Sequence, residues 1–182
     1  MIDIMSTSIF DRLAALAGAE VRYGPGETVF RQGDPVAALH LVTAGEILLV
    51  RHLPEGLALT LHRARPGAVV AEASMFSPTY HCDAVATGPA GTLSVPKPAV
   101  LRLMRDDAAF ATEWAAYLAH EVQSARLRSE ILALRTVAER LDAWLATNGG
   151  RLPPKGDRKS VAAEIAVSAE AFYRELARRN VS

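Results

Sequence analysis

The spacing of apolar residues changes twice along the chain, and each change marks a new kind of element. Residues 8–18 place Ile9, Leu13 and Leu16 on one side of a short amphipathic helix. From Val21 to about Leu103 the helical spacing gives way to short apolar runs cut by turn residues. These turns are Gly24-Pro25-Gly26, Gly33-Asp34-Pro35, Gly45, Pro54-Glu55-Gly56, Pro66-Gly67, Ser77-Pro78 and Gly88-Pro89-Ala90-Gly91. The runs between them predict strands over Thr28–Arg31, Ala38–Thr43, Glu46–His52, Ala58–Arg63, Val69–Ala71, Asp83–Thr87 and Thr92–Pro96. Many short strands at regular spacing predict a barrel or sandwich and argue against βαβ units.

From about Pro98 the pattern is helical again. A short helix is expected over residues 98–106 and a long one from Asp107 to Arg135. Trp114, Leu118, Val122, Ala125, Ser129 and Leu132 are spaced 4, 4, 3, 4 and 3 apart, close to a heptad seam. A second stripe runs through Leu127, Ile131, Leu134, Ala138 and Leu141. The alternative is one wide face buried within a single chain. A helix this long outreaches a small barrel, so the first stripe is read as a homodimer seam, with Trp114, Leu118, Val122, Ala125 and Leu132 as its apolar residues. Thr136-Val137-Ala138-Glu139 has capping-box spacing and places a hinge at Arg135–Thr136. The helix it starts runs to about Ala146, and Asn148-Gly149-Gly150 stops it.

Composition narrows the class. The chain has 182 residues, half of them hydrophobic, and no run long enough to cross a membrane. The first residues carry acids where a signal peptide has bases, so a cytoplasmic protein without membrane association is expected. Cys82 is the one cysteine, which excludes an intrachain disulfide and a multi-cysteine metal cluster. The net charge of zero hides an asymmetry. Residues 1–150 hold 13 bases and 16 acids, and residues 151–182 hold 7 bases and 4 acids. A basic end on an acidic body points to nucleic acid.

That basic end carries the clearest motif. Residues 158–165 form a short helix with Asp157 as N-cap, Ala166-Val167 is a tight turn, and Ser168 caps a second helix over 169–179. Phe172 and Leu176 share its buried face. Two short helices joined by so short a turn make a unit whose second helix enters the major groove. SVAAEIAVSAEAFYRELARR resembles the helix-turn-helix of the cAMP-receptor and fumarate-nitrate-regulator (Crp/Fnr) family of bacterial transcription regulators. The resemblance implies DNA base contacts from Glu170 and Arg174; the family's preceding Arg is replaced by Ala169. Arg158, Lys159, Ser168, Arg178 and Arg179 are the candidates for phosphate contacts, which position without specifying. The chain runs out at Asn180-Val181-Ser182, where the family continues into a β-hairpin wing, so a wingless domain is expected.

The strand-rich part resembles the same family's cyclic-nucleotide-binding domain through YGPGETVFRQGDP (23–35), LHLVTAGEILLV (39–50) and RPGAVVAEASMFSPTYHCDAVA (65–86). The fold implied is a mainly β jelly-roll barrel, a double-stranded β-helix, followed by a long dimerisation helix and a C-terminal all-α helix-turn-helix domain. The expected boundaries are 1–106 for the sensor, 107–135 for the dimerisation helix and 136–182 for the DNA-binding domain. Residues 65–86 include the family's phosphate-binding cassette. Glu72 matches its ribose-binding glutamate, Ala71 replaces a glycine, and Cys82 and Asp83 stand where the family places its phosphate-binding Arg and Ser. The expected effector pocket is therefore Glu72, His81, Cys82 and Asp83. A cyclic phosphate needs a cationic fork, which these residues lack, so cAMP is not the expected effector.

No cofactor is expected. His81 and Cys82 are ligand types for haem or a metal, but neighbours on a strand point to opposite faces, and no metal site is assigned. Ser74, His81 and Asp83 have the composition of a catalytic triad, yet they crowd one corner, and no enzyme is expected. The implied partners are double-stranded DNA, a second copy of the chain, RNA polymerase and an unidentified small-molecule effector. The alternative, favoured by Ala169 and the missing wing, is a sensory or interaction module that has lost productive DNA binding.

Overall fold

The computed structural model describes residues 9–52 and 58–179, in two compact units, Met1–Leu118 and Ala119–Ser182. The expected Pro54-Glu55-Gly56 turn, the start of the first helix and the Asn180-Val181-Ser182 end lie outside the described residues.

The first unit begins with helical residues 9–14 (α1). Among the described residues eight strands follow: β1 Glu20–Tyr23, β2 Thr28–Phe30, β3 Ala38–Ala44, β4 Ile47–His52, β5 Ala58–Ala64, β6 Val69–Val70, β7 Asp83–Ala86 and β8 Ala90–Pro96. The glycines at the corners do what the sequence asks of them: Gly26, Gly33, Gly45 and Gly67 all have positive φ. At Gly45, between β3 and β4, a side chain would also collide with the Pro89 carbonyl and with Ala90.

The expected barrel does not form. The strands pair into two antiparallel four-stranded sheets, in the orders β1-β8-β3-β6 and β2-β7-β4-β5. Among the described residues no ladder joins one sheet to the other, and an isolated bridge, Pro35 to Thr79, is the one pairing outside the named strands. Closing a barrel needs a continuous hydrogen-bonded ladder across each edge. The edge strands β6 and β2 have 2 and 3 residues, too short to carry one. The architecture is a sheet-on-sheet sandwich of the kind alternating patterns also permit.

Between the sheets, Phe30 of β2 meets His40 of β3 with ring centroids 5.5 Å apart, and stacks on Tyr80 at 3.9 Å. On the other side of β3, Leu39 and Leu41 are fully buried, in one core with Ile9, Leu13, Val100 and Phe110. The last two come from α2 (Lys97–Asp106) and α3 (Ala108–Ala133). Arg12 of α1 ties these helices down by pairing with Asp107 and, at 3.0 Å, with Glu113, while lying over the Phe110 ring.

The second unit takes in the end of α3, then α4 (Val137–Thr147), α5 (Arg158–Glu164) and α6 (Ala169–Arg178). The Thr136 capping box is present in full, with the hydroxyl accepting from the Glu139 N–H and the Glu139 carboxylate accepting from the Thr136 N–H. Asp157 stands at the N-cap of α5 but makes no side-chain cap bond. Ile131, Leu141, Val161, Ala162, Ile165, Phe172 and Leu176 form one small core.

Candidate effector site and DNA-binding face

The candidate sensor site is a corner where the end of β4, the short 3-10 turn Glu72–Ser74 and the start of β7 converge. Ala71 precedes that turn with φ of 76°, in the left-handed region where the family uses glycine. The backbone thus holds an alanine in a conformation that favours glycine, which costs about 1 kcal/mol. Ala71→Gly is expected to raise the melting temperature by about 2–4 °C; an unchanged or lower value in calorimetry would show that the turn is not strained.

The four expected pocket residues do not act as one constellation. Ser74 Oγ lies 2.7 Å from His81 Nδ1. Asp83 is turned away from both: it accepts from the Gln32 N–H at 2.6 Å and lies 3.2 Å from His52 Nε2. Ser74, His81 and Asp83 therefore do not form a relay. Cys82 points into the core and is 2% exposed; burial pushes its thiol up to about 11, so it is not a ready nucleophile. Burial, and then the charge of Arg51, push His81 below the usual imidazole range. Glu72 is half-buried, close enough for its charge to raise the Cys82 thiol. Sequence reasoning missed Arg51, whose Nε donates to the His81 carbonyl at 3.3 Å. No group of three or more His, Cys, Asp or Glu able to hold a metal ion occurs among the described residues.

The helix-turn-helix is built by local chemistry. Ala166 adopts φ of 51°, and the Val167 N–H bonds back to the Ala162 carbonyl while the Ala166 N–H bonds to Ala163. This is a Schellman stop with alanine in glycine's place. Arg140 of α4 clamps the turn by donating to the carbonyls of Ile165 and Ala166. Ser168 then caps α6, accepting from the Ala171 N–H at 3.1 Å. Phe172 and Leu176 are buried, which leaves Ala169, Glu170, Tyr173, Arg174 and Arg178 exposed. Glu170 and Arg174 pair across one turn at 3.2 Å.

Lys159 is exposed and Arg158 half-buried. Arg179 is different: it pairs with Asp142 and Glu175 and donates to the Ala138 carbonyl, tying the end of α6 to α4. Arg178 and Arg179 together pull Glu175 down to about 2. Its carboxyl is thus more acidic folded than unfolded, so the unfolded chain binds more protons between about pH 4.5 and 2. This contribution is complete above that window and is lost as pH falls through it. Helicity of residues 137–179 should fall on acidification below about pH 4.5, and Glu175→Gln should flatten that part of the transition; an identical acid profile in the variant would exclude the clamp.

Along α3, the expected seam divides. Trp114 is 1% exposed and belongs to the first unit's core beside Phe110 and Tyr117, and Leu118 packs partly against it. Val122, Ala125, Ser129 and Leu132 lie on the surface, with Val122 48% and Leu132 37% exposed.

Residues 20–107 match the cyclic nucleotide-binding domain family. The sensor domain of the transcriptional regulator DNR from Pseudomonas aeruginosa is 30% identical to this chain. That match covers 71% of this chain and 84% of that one, with a TM-score of 0.55. The chain belongs to the Crp/Fnr family. A regulatory protein from Silicibacter pomeroyi DSS-3 is similar over both units of this Crp/Fnr protein: 26% identity, 92% of this chain, 78% of the other, and a TM-score of 0.63. The c-di-GMP responsive global regulator CLP of Xanthomonas campestris shares the fold at 19% identity and a TM-score of 0.65, over 96% of this chain and 91% of that one. No curated protein sequence matches the chain. As a Crp/Fnr member, it is a DNA-binding, homodimeric transcription regulator. No described helix is long and apolar enough to cross a membrane.

Proposed function

We propose that this regulator reads DNA through the exposed face of α6 and answers to a small molecule bound at the Ala71–Asp83 corner. The observation that carries the DNA reading is the division of α6. Phe172 and Leu176 fix one side in a core, and Ser168 caps the end, so Glu170, Tyr173 and Arg174 are presented together on a rigid element. Arginine is the commonest base-reading side chain, and glutamate accepts from cytosine N4. In the free protein the Glu170–Arg174 pair pre-orients both groups and opens onto the base edges when DNA arrives.

Arg158, Lys159 and Arg178 serve as phosphate contacts, with Ser168 at the N-terminus of α6 supporting an adjacent phosphate. Arg179, held by Asp142 and Glu175, acts on DNA by fixing the angle of α6. Val122, Ala125 and Leu132 form the exposed part of the dimer seam, and two copies place their α6 helices on two half-sites. RNA polymerase is the expected protein partner of the DNA-bound dimer.

Selection of operator sequences from a random pool, followed by binding titrations, tests this reading. Arg174→Ala is expected to lose about 1–3 kcal/mol on the selected site, up to roughly 100-fold, and to relax preference at one base pair. Lys159→Ala should weaken all duplexes about equally and lower the salt slope by about one. A pool that shows no enrichment at low salt would instead support the interaction-module reading.

A further inference from the structure

We propose that Arg51 is the anion-binding residue of the sensor and that the effector carries a carboxylate or another oxyanion; this rests on the reading of the Ala71–Asp83 corner as the effector site. The family's cation position is filled by Cys82, whose sulfur is buried and cannot serve. The strand register supplies another. β4 and β7 pair through Ile47 with Ala86, Leu48 with Val85, Leu49 with Ala84, and Val50 with Asp83. One step further along the same ladder sets Arg51 opposite Cys82. Alternation puts this couple on the face of Leu49 and Ala84. Phe30, paired with Ala84, reaches His40 of the other sheet from that face. Arg51 thus enters the corner from the strand next to the cassette.

The guanidinium is also uncommitted. Its one hydrogen bond among the described residues uses Nε, on the His81 carbonyl, and it makes no ion pair there. Both terminal nitrogens keep their N–H groups, a planar fork of the geometry that binds a carboxylate or phosphate bidentately. Five other arginines of the first unit are each paired with a carboxylate: Arg12 with Asp107 and Glu113, Arg22 with Glu20, Arg63 and Arg65 with Glu46, and Arg105 with Asp106. Asp83, which would repel an anion if it faced inward, is held by the Gln32 N–H and His52 instead. The half-buried position strengthens a charge-assisted bond relative to one in open water.

The test uses the full-length protein and four probes: acetate and inorganic phosphate, with acetamide and glycerol as neutral counterparts, at constant ionic strength. Backbone amide shifts of residues 72–83 report occupancy by NMR titration. Saturable shifts are expected with acetate or phosphate and not with the neutral probes. Arg51→Met, which keeps the length and loses the fork, should weaken oxyanion binding at least 10-fold, and Arg51→Lys should recover part of it. Equal binding of acetate and acetamide, or oxyanion binding unchanged in Arg51→Met, would overturn the proposal while leaving a ligand site at this corner. No shift with any of the four would overturn both. Preserved chemical shifts for residues 38–50 in each variant establish that it is folded.

Discussion

Val122→Glu combined with Leu132→Glu is expected to leave a folded monomer that no longer binds its operator. The interface of a two-fold dimer is self-complementary, so each substituted residue faces its own copy or a close neighbour. Four carboxylates would then be buried without partners. Leaving a buried charge unpaired costs about 3–5 kcal/mol, so even one such site weakens the dimer by at least roughly 100-fold. Within one chain, Val122 and Leu132 are 48% and 37% exposed, so neither contributes much to the fold of the monomer. Light scattering at micromolar concentration should show the mass of one chain for the variant and of two for the parent. Circular dichroism should be unchanged. A parent protein already monomeric, or a variant still dimeric, would remove α3 residues 122–132 as the seam. Trp114→Glu is not a fair probe, because Trp114 lies inside the sensor core and its loss would unfold the first unit.

The second large effect is expected from Phe172→Ala. Phe172 is completely buried among Ile131, Leu141, Val161, Ile165 and Leu176, the centre of a core of few residues. Removing a buried phenyl ring costs about 3–5 kcal/mol, which is comparable to the whole stability that so small a unit can have. Hydrogen exchange should accelerate across residues 137–179 while residues 38–50 and 90–96 keep their protection, and duplex binding should vanish. The adjacent Tyr173→Ala is the control: Tyr173 is 38% exposed, so its loss should spare the fold. Unchanged protection in Phe172→Ala would mean that the C-terminal helices do not depend on this core.

Much of the DNA-binding unit was legible because its signals are local. The capping box needs only Thr136 and Glu139, three residues apart. The Ser168 cap and the Phe172–Leu176 face likewise lie within two helical turns. The strands were placed nearly as well, except that no strand was expected before Thr28 and β1 (Glu20–Tyr23) was missed. What these strands do together was misjudged. The same alternation serves a closed barrel and an open sandwich, and resemblance to a jelly roll favoured closure. The candidate site was legible as a place rather than as a mechanism. Ala71, Glu72, His81, Cys82 and Asp83 do meet at one corner, but Asp83 faces His52 and the Gln32 amide, and Arg51 was not foreseen.

The sequence by itself determined the order and type of the elements, the glycine corners, the helix caps and the division of α6 into a buried and an exposed face. Each of these depends on residues a few positions apart, whose geometry follows from the 3.6-residue and two-residue periods. Tertiary structure alone decided that the two sheets stay open, that Trp114 belongs to the sensor core, that Arg179 is held by Asp142 and Glu175, and that Arg51 stands beside Cys82. Arg51 and Cys82 lie 31 positions apart and meet only through the β4–β7 register, set by the whole length of chain between them. A one-residue slip in that register would turn Arg51 to the opposite face, and nothing local to Arg51 encodes which register is taken.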